Sequence, residues 1–273
     1  QAVNDIGIGG MNIGIMAGEE MTLYELLHGL LIPSANETAN IIAENTAETR
    51  QDFFVMMNKK AIPLGLKNSN FANANGLHNV DHYTTANDMA VIAREAMKYD
   101  VFREIVSKKS YDLIPTNKHP NWDTIYNTNR ILRFGTSSEL NFEITGIKTG
   151  FTTPAGHNLV AAATGPDGTR LISVIHGVKE DRSWETVYTY TEQLLKYGFD
   201  NYKKMCLLDD TQIVTTLVPD KALDDTQLEL VCEDPVFVIC GEDINYTRKV
   251  ILEPIVEAPV KKGDTIGYVR FFH

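Results

Sequence analysis

An α+β domain followed by a small all-β domain is the architecture this sequence predicts. Apolar residues recur at helical spacing over roughly the first hundred positions, and from about residue 140 the period becomes that of strands. After about residue 203, short apolar or alternating runs are separated by Asp, Gly and Pro, the texture of a small β domain. A chain of 273 residues accommodates two ordinary domains, and their boundaries are read as 1–203 and 204–273.

The elements follow in order. Thr22 and Glu25 have capping-box spacing, and Leu23, Leu26, Leu27 and Leu30 then predict a helix that ends before Pro33. A second helix is expected from Asn36 as N-cap, through Ala39, Ile42 and Ala43, so Ser34 and Asn36 lie on the connection between two buried helices. Further helices are expected at about 50–62 and 86–99, the latter capped by Thr85, with a polar, turn-rich stretch between them. FEITGIKTG, HNLVAAAT and RLISVIHGV read as strands, the last two antiparallel across the GPDG turn at 165–168, and a long helix then closes the domain near Phe199. QIVTTLV, QLELVC, VFVIC, KVILEPIV and TIGYVRFF are the strands of the second domain.

Composition narrows the function. A net charge of −11, with no Lys/Arg cluster longer than a pair, excludes a phosphate-tracking nucleic-acid binder and disfavours an anionic membrane surface. No apolar run approaches the roughly 20 residues of a spanning helix. Cys206, Cys232 and Cys240 are too few for a disulfide framework and read as small apolar residues; were VCEDPVFVIC a hairpin, Cys232 and Cys240 would sit at different heights and could not bridge. His78 and His82 have metal-like spacing but lack a third ligand, so neither a metal nor a cofactor is expected.

Two triplets could carry chemistry. Ser34-Ala35-Asn36, taken singly, reads as a helix cap. Lys148-Thr149-Gly150 ends a strand, whose alternation sends Lys148 and Gly150 to one face and Thr149 to the other. A cation and a hydroxyl beside an open strand edge suit a peptide carboxylate, and Gly150, with no Cβ, allows a ligand to approach closely. Glu37 reads as a solvated first-turn carboxylate favoured by the helix dipole.

Ser-x-Asn followed by Lys-Thr-Gly forms two of the three elements of the penicillin-binding signature. With LLIPSAN, ETANIIAEN, FVMMNKKAIPLGLKNSNFANANGL, HYTTANDMAVIAREA, GIKTGFTTPAGHNLVAAA and LLKYGF, the sequence resembles the low-molecular-mass penicillin-binding proteins that act as serine D-alanyl-D-alanine carboxypeptidases. The resemblance covers nearly the whole chain. It implies the transpeptidase fold shared with β-lactamases, an antiparallel sheet with helices. It also implies a substrate, the peptidoglycan stem peptide, inhibition by β-lactam antibiotics, and an extracytoplasmic location, with membrane attachment only through a terminal anchor. By motif, Ser34 relays a proton to the leaving amine, and Asn36 holds the substrate amide or orients the lysine partner of the nucleophile. Lys148 supports the relay and the substrate carboxylate, Thr149 hydrogen-bonds that carboxylate, and the Phe151 N–H is an oxyanion donor. Arg182 matches the carboxylate-facing arginine of the family.

The nucleophile of that family sits in Ser-x-x-Lys, and no lysine here has a serine three residues before it. The family places that motif upstream of the segment resembling QAVNDIGIGGMNIGIMAGEEMT, so both ends of the chain are expected to continue in the full protein, and the chain by itself is expected to be inactive. A non-catalytic binding protein that keeps the peptide groove is the second reading. A β-lactamase is disfavoured, since no convincing Glu-x-x-x-Asn segment is present and the all-β domain is foreign to that group.

Overall fold

The computed structural model describes residues 2–5, 7, 10–136, 140–179, 183–241 and 244–272. A 3₁₀ turn at Ala2–Asn4 precedes α1 (Leu23–Leu31), α2 (Asn36–Thr46), α3 (Arg50–Ala61), α4 (Ala86–Ala96) and α5 (Asp100–Val106). The short strands β1 (Ser110–Tyr111) and β2 (Ile125–Tyr126) and helix α6 (Arg130–Phe134) lead to β3 (Glu143–Thr152), β4 (Gly156–Thr164), β5 (Arg170–Val178) and α7 (Trp184–Asn201). Then come β6 (Lys203–Leu208), β7 (Thr215–Leu217), β8 (Leu228–Leu230), β9 (Val236–Cys240), β10 (Thr247–Leu252) and β11 (Gly267–Phe272). Packing divides the chain into two compact units, Gln1–Tyr197 and Gly198–His273.

In the first unit the predicted caps form. The hydroxyls of Thr22 and Thr85 accept from the backbone N–H of Glu25 and Asp88, and Thr49 does the same for Asp52 at the head of α3. Each such cap contributes about 1 kcal/mol. Asn36 departs from expectation: it is the first helical residue of α2, and the N-cap is Ala35, which makes no side-chain cap bond. The reason is that a distant segment satisfies the first donor, the Asn36 N–H reaching the Met11 carbonyl at 2.8 Å. Helices α5 and α6, of seven and five residues, escape prediction because neither is long enough to display a helical period.

β3, β4 and β5 form one antiparallel sheet in that order, so β3 is an edge strand. The predicted turn joins β4 to β5, with Gly168 N–H donating to Gly165 O at 3.0 Å. A register shift between Ile144 and Gly146 kinks β3. Gly146 has φ 144°, and a Cβ there would lie 2.9 Å from Val106 Cγ2, so the end of α5 rests directly on the strand.

Two apolar clusters hold this unit together. One joins Ile32, Ile105, Leu113 and Ile125; the other joins Ala93, Val106, Ile147 and Ala162. Leu31, at the end of α1, packs against both, which fixes the α1–α2 connection relative to the middle of β3.

The second unit consists of antiparallel pairs, β6 with β9, β7 with β8, and β10 with β11. VCEDPVFVIC is therefore not a hairpin: β8 and β9 each pair with an earlier strand. All three cysteines are free; Cys240 is buried as an apolar residue would be, whereas Cys206 is exposed. Among the described residues no helix is long and apolar enough to cross a membrane.

Candidate active site

The α1–α2 connection is a tightly pinned loop. Ile32 N–H closes α1 on the His28 carbonyl at 3.0 Å, and Ala35 N–H returns to Gly29 O at 3.0 Å. The Thr38 hydroxyl donates to Ala35 O at 2.6 Å. α1 and α2 touch at Gly29, where a Cβ would fall 2.8 Å from Thr38 Cγ2. Between Ile32 and Ala35, both wholly buried, Ser34 is only half-buried and adopts φ 71°. A left-handed serine is a strained residue, and the pinned neighbours on either side supply the constraint. Asn36 is buried at the head of α2.

Glu37 corrects the expectation of a solvated carboxylate. It is 1% exposed, and its Oε1 accepts the N–H groups of Ile13 at 2.7 Å and Gly14 at 3.1 Å. Its Oε2 is buried with no hydrogen-bond partner among the described residues. This carboxylate thus ties the segment preceding α1 to the first turn of α2, next to the loop that carries Ser34.

Lys148, Thr149 and Gly150 lie on the edge strand, paired through β4 to Val160, Leu159 and Asn158. Thr149 is buried and Lys148 partly buried, while Gly150 is exposed with open space where a Cβ would project. The Lys148 ammonium donates to Thr149 O at 3.1 Å. Burial lowers its pKa to about 8, because the low-dielectric surroundings disfavour the charged form. An ammonium held this way gains from the arrival of a carboxylate more than a solvated one does. Beyond Gly150, the exposed ring of Phe151 stacks on His157 at 4.5 Å, and His157 lies 4.7 Å from Trp184.

Sequence reasoning overlooked Asn127-Thr128-Asn129, which joins the two triplets. Thr128 N–H donates to Ile32 O at 3.2 Å, and its hydroxyl lies 2.5 Å from the Thr149 hydroxyl. Asn127, 1% exposed, donates to Lys108 O at 3.0 Å and accepts from Asn129 N–H at 2.9 Å. Asn129, wholly buried, reaches Gly146 O at 3.4 Å. The detectable signal was four polar residues, Asn127 to Arg130, set between the apolar pairs Ile125-Tyr126 and Ile131-Leu132 with no Gly or Pro to make them a turn. Arg182 lies outside the described residues. His82 has a structural use, its Nδ1 accepting Ala72 N–H at 3.2 Å.

An antiparallel sheet backed by helices, with Lys-Thr-Gly on its edge strand and Ser-x-Asn on a helix connection, is the architecture of the penicillin-binding class. Residues 4–180 match the family model described as D-alanyl-D-alanine carboxypeptidase, and residues 202–273 match that of the penicillin-binding protein 5 C-terminal domain. The chain belongs to the D-alanyl-D-alanine carboxypeptidase family, the low-molecular-mass penicillin-binding proteins. It is 32% identical over 263 residues to D-alanyl-D-alanine carboxypeptidase DacF of Bacillus subtilis, covering 95% of this chain and 64% of that protein. The carboxypeptidase DacC of Escherichia coli is 33% identical over 257 residues, 93% of this chain and 60% of the relative. The chain therefore spans about three-fifths of the length of these curated relatives. Among solved structures, penicillin-binding protein 5 from Haemophilus influenzae superposes with a TM-score of 0.73 at 25% identity, covering 96% of this chain and 73% of that one. A Streptomyces DD-transpeptidase gives 0.63 at 30% identity over 70% of this chain and 73% of that one.

Proposed function

We propose that this protein is a serine D-alanyl-D-alanine carboxypeptidase of the bacterial cell envelope, acting on peptidoglycan stem peptides and acylated by penicillins. A serine Oγ attacks the carbonyl carbon of the peptide bond between the two terminal D-alanines. The C–N bond breaks, D-alanine leaves with a proton on its amine, and water hydrolyses the resulting ester. Ser34 passes the proton to the leaving amine, and Asn36 orients the groups around it. Lys148 and Thr149 receive the terminal carboxylate, Gly150 leaves room for the peptide to lie along β3, and the Phe151 N–H points at the developing oxyanion. Arg182 is assigned to the same carboxylate from the resemblance alone. The nucleophile is a serine in a Ser-x-x-Lys motif that these 273 residues do not contain.

The observation that carries this reading is the Thr128 bridge. It fastens the Ser34 loop, through Ile32 O, to the edge-strand hydroxyl of Thr149. Two signature triplets more than a hundred residues apart are thereby held in one neighbourhood, with the Lys148 ammonium, its pKa lowered to about 8 by burial, on the edge strand.

The test is intact mass of the protein as its gene encodes it, before and after incubation with benzylpenicillin, with release of D-alanine from a D-Ala-D-Ala peptide followed alongside. One stable adduct together with D-alanine release supports the carboxypeptidase. Peptide binding with neither adduct nor release overturns it in favour of a non-catalytic binding protein.

A further inference from the structure

The Thr128 hydroxyl belongs to neither signature triplet. Two hydroxyls 2.5 Å apart share a single hydrogen bond, so one of them gives its proton and the other receives it. Each threonine owns one proton and two lone pairs. If Thr149 gave its proton to Thr128, the lone pairs of a buried oxygen would face any carboxylate arriving at the strand edge. If Thr128 is the donor, the Thr149 proton remains free to point outward.

The frame around Thr128 leaves it little freedom. Its own N–H is committed to Ile32 O at 3.2 Å, Asn127 is anchored to Lys108 O at 3.0 Å, and Asn129 is wholly buried against Gly146 O. Three consecutive residues are thus fastened to three separate stretches of the chain, the segment after α5, the end of α1 and the kink of β3, and the hydroxyl between them meets Thr149, itself only 8% exposed.

We propose that Thr128 is a positioning residue of the carboxylate subsite: its hydroxyl donates to Thr149 Oγ1 and so presents the Thr149 proton to the terminal carboxylate of the bound peptide or penicillin. The assignment rests on the function proposed above. It also couples the two walls of the site, since the same residue holds the Ser34 loop through its backbone and the carboxylate-binding hydroxyl through its side chain.

The test uses the protein as its gene encodes it and measures acylation rate with benzylpenicillin and with benzylpenicillin methyl ester, which lacks the charge. Thr128→Val is expected to slow acylation by benzylpenicillin roughly five- to tenfold, the value of one ordinary hydrogen bond, with Thr128→Ser within about twofold of wild type. With the ester the Thr128→Val loss should largely vanish. The double variant with Thr149→Val should be no slower than Thr149→Val alone, because both act on one interaction. Equal losses with acid and ester, an unchanged rate, or losses that multiply in the double variant overturn the assignment. So does a result in which Thr128→Val and Thr128→Ala both fail to fold, which makes the residue structural. Wild-type protein that takes no adduct overturns the proposed function and this assignment together; a normal wild-type adduct with an unaffected Thr128→Val overturns this assignment alone.

Discussion

Lys108 Nζ lies 3.1 Å from Nε2 of His28, a histidine with no exposed surface whose Nδ1 faces the Tyr24 carbonyl at 2.8 Å. A carbonyl only accepts, so Nδ1 carries the proton and Nε2 receives a hydrogen from the Lys108 ammonium. That arrangement requires a neutral imidazole. Tyr111 stacks on its face at 3.8 Å, and Lys108 is balanced by Glu104 at 2.7 Å. Burial first, with the Lys108 charge adding to it, lowers the His28 pKa below the ordinary histidine value. The unfolded chain therefore binds more protons than the folded one between that lowered value and about 6.5, and stability falls as pH drops through this window. His28→Gln should flatten the dependence while costing about 1–3 kcal/mol. Urea unfolding of both proteins between pH 5 and 8 checks this, and parallel pH profiles would sink it.

Lys148 works in the opposite pH range. Its pKa of about 8 means that the folded state gives up this proton before the unfolded state does, so stability rises as pH climbs from about 8 towards 10. Lys148→Met is expected to lack this rise and to be more stable at neutral pH, because it removes the cost of a desolvated charge. Binding of a D-Ala-D-Ala peptide or penicillin should weaken strongly in the same variant. An unchanged dissociation constant removes Lys148 from the carboxylate subsite.

Ser34 separates structure from chemistry. With φ 71° and no helix-capping role, it occupies a conformation that glycine adopts without strain. Ser34→Gly should leave the melting temperature unchanged or raise stability by up to about 1 kcal/mol, the relief of strain exceeding the added freedom of the unfolded chain. Acylation should nevertheless slow sharply in the protein as its gene encodes it. A variant that acylates at the wild-type rate shows that the hydroxyl takes no part in proton transfer.

Glu37 predicts a local effect. Glu37→Ala strips the acceptor from the N–H groups of Ile13 and Gly14 and should cost about 2–4 kcal/mol, while Glu37→Gln retains one acceptor oxygen and costs less. Hydrogen exchange reads it directly: amides of residues 13 and 14 should lose protection before those in the middle of α2. Protection that falls equally everywhere would assign Glu37 a global role instead.

Local chemistry explains what was legible beforehand. Thr22 and Thr85 announce their helices because a cap and the residue it serves are three positions apart, and the GPDG turn announces the β4–β5 hairpin for a similar reason. Lys148 and Thr149 are visible as a triplet, and Ser34 as another, because each occupies a few consecutive positions. Helices α5 and α6 were not visible because they are too short to display a period, and strand β6, KKMCLL, was not because it does not alternate apolar with polar residues.

By itself, then, the sequence determined the order of helices and strands, the change to a β domain, the two triplets and the family they resemble. Only the tertiary structure decided that Asn36 begins a helix without capping it, that Glu37 is buried on the amides of residues 13 and 14, and that Thr128 joins Ile32 to Thr149. The physical reason is the same in each case. A backbone N–H or a buried hydroxyl must find a partner, and whether that partner is three residues away or a hundred is settled by packing, here by Leu31 wedged between two apolar clusters.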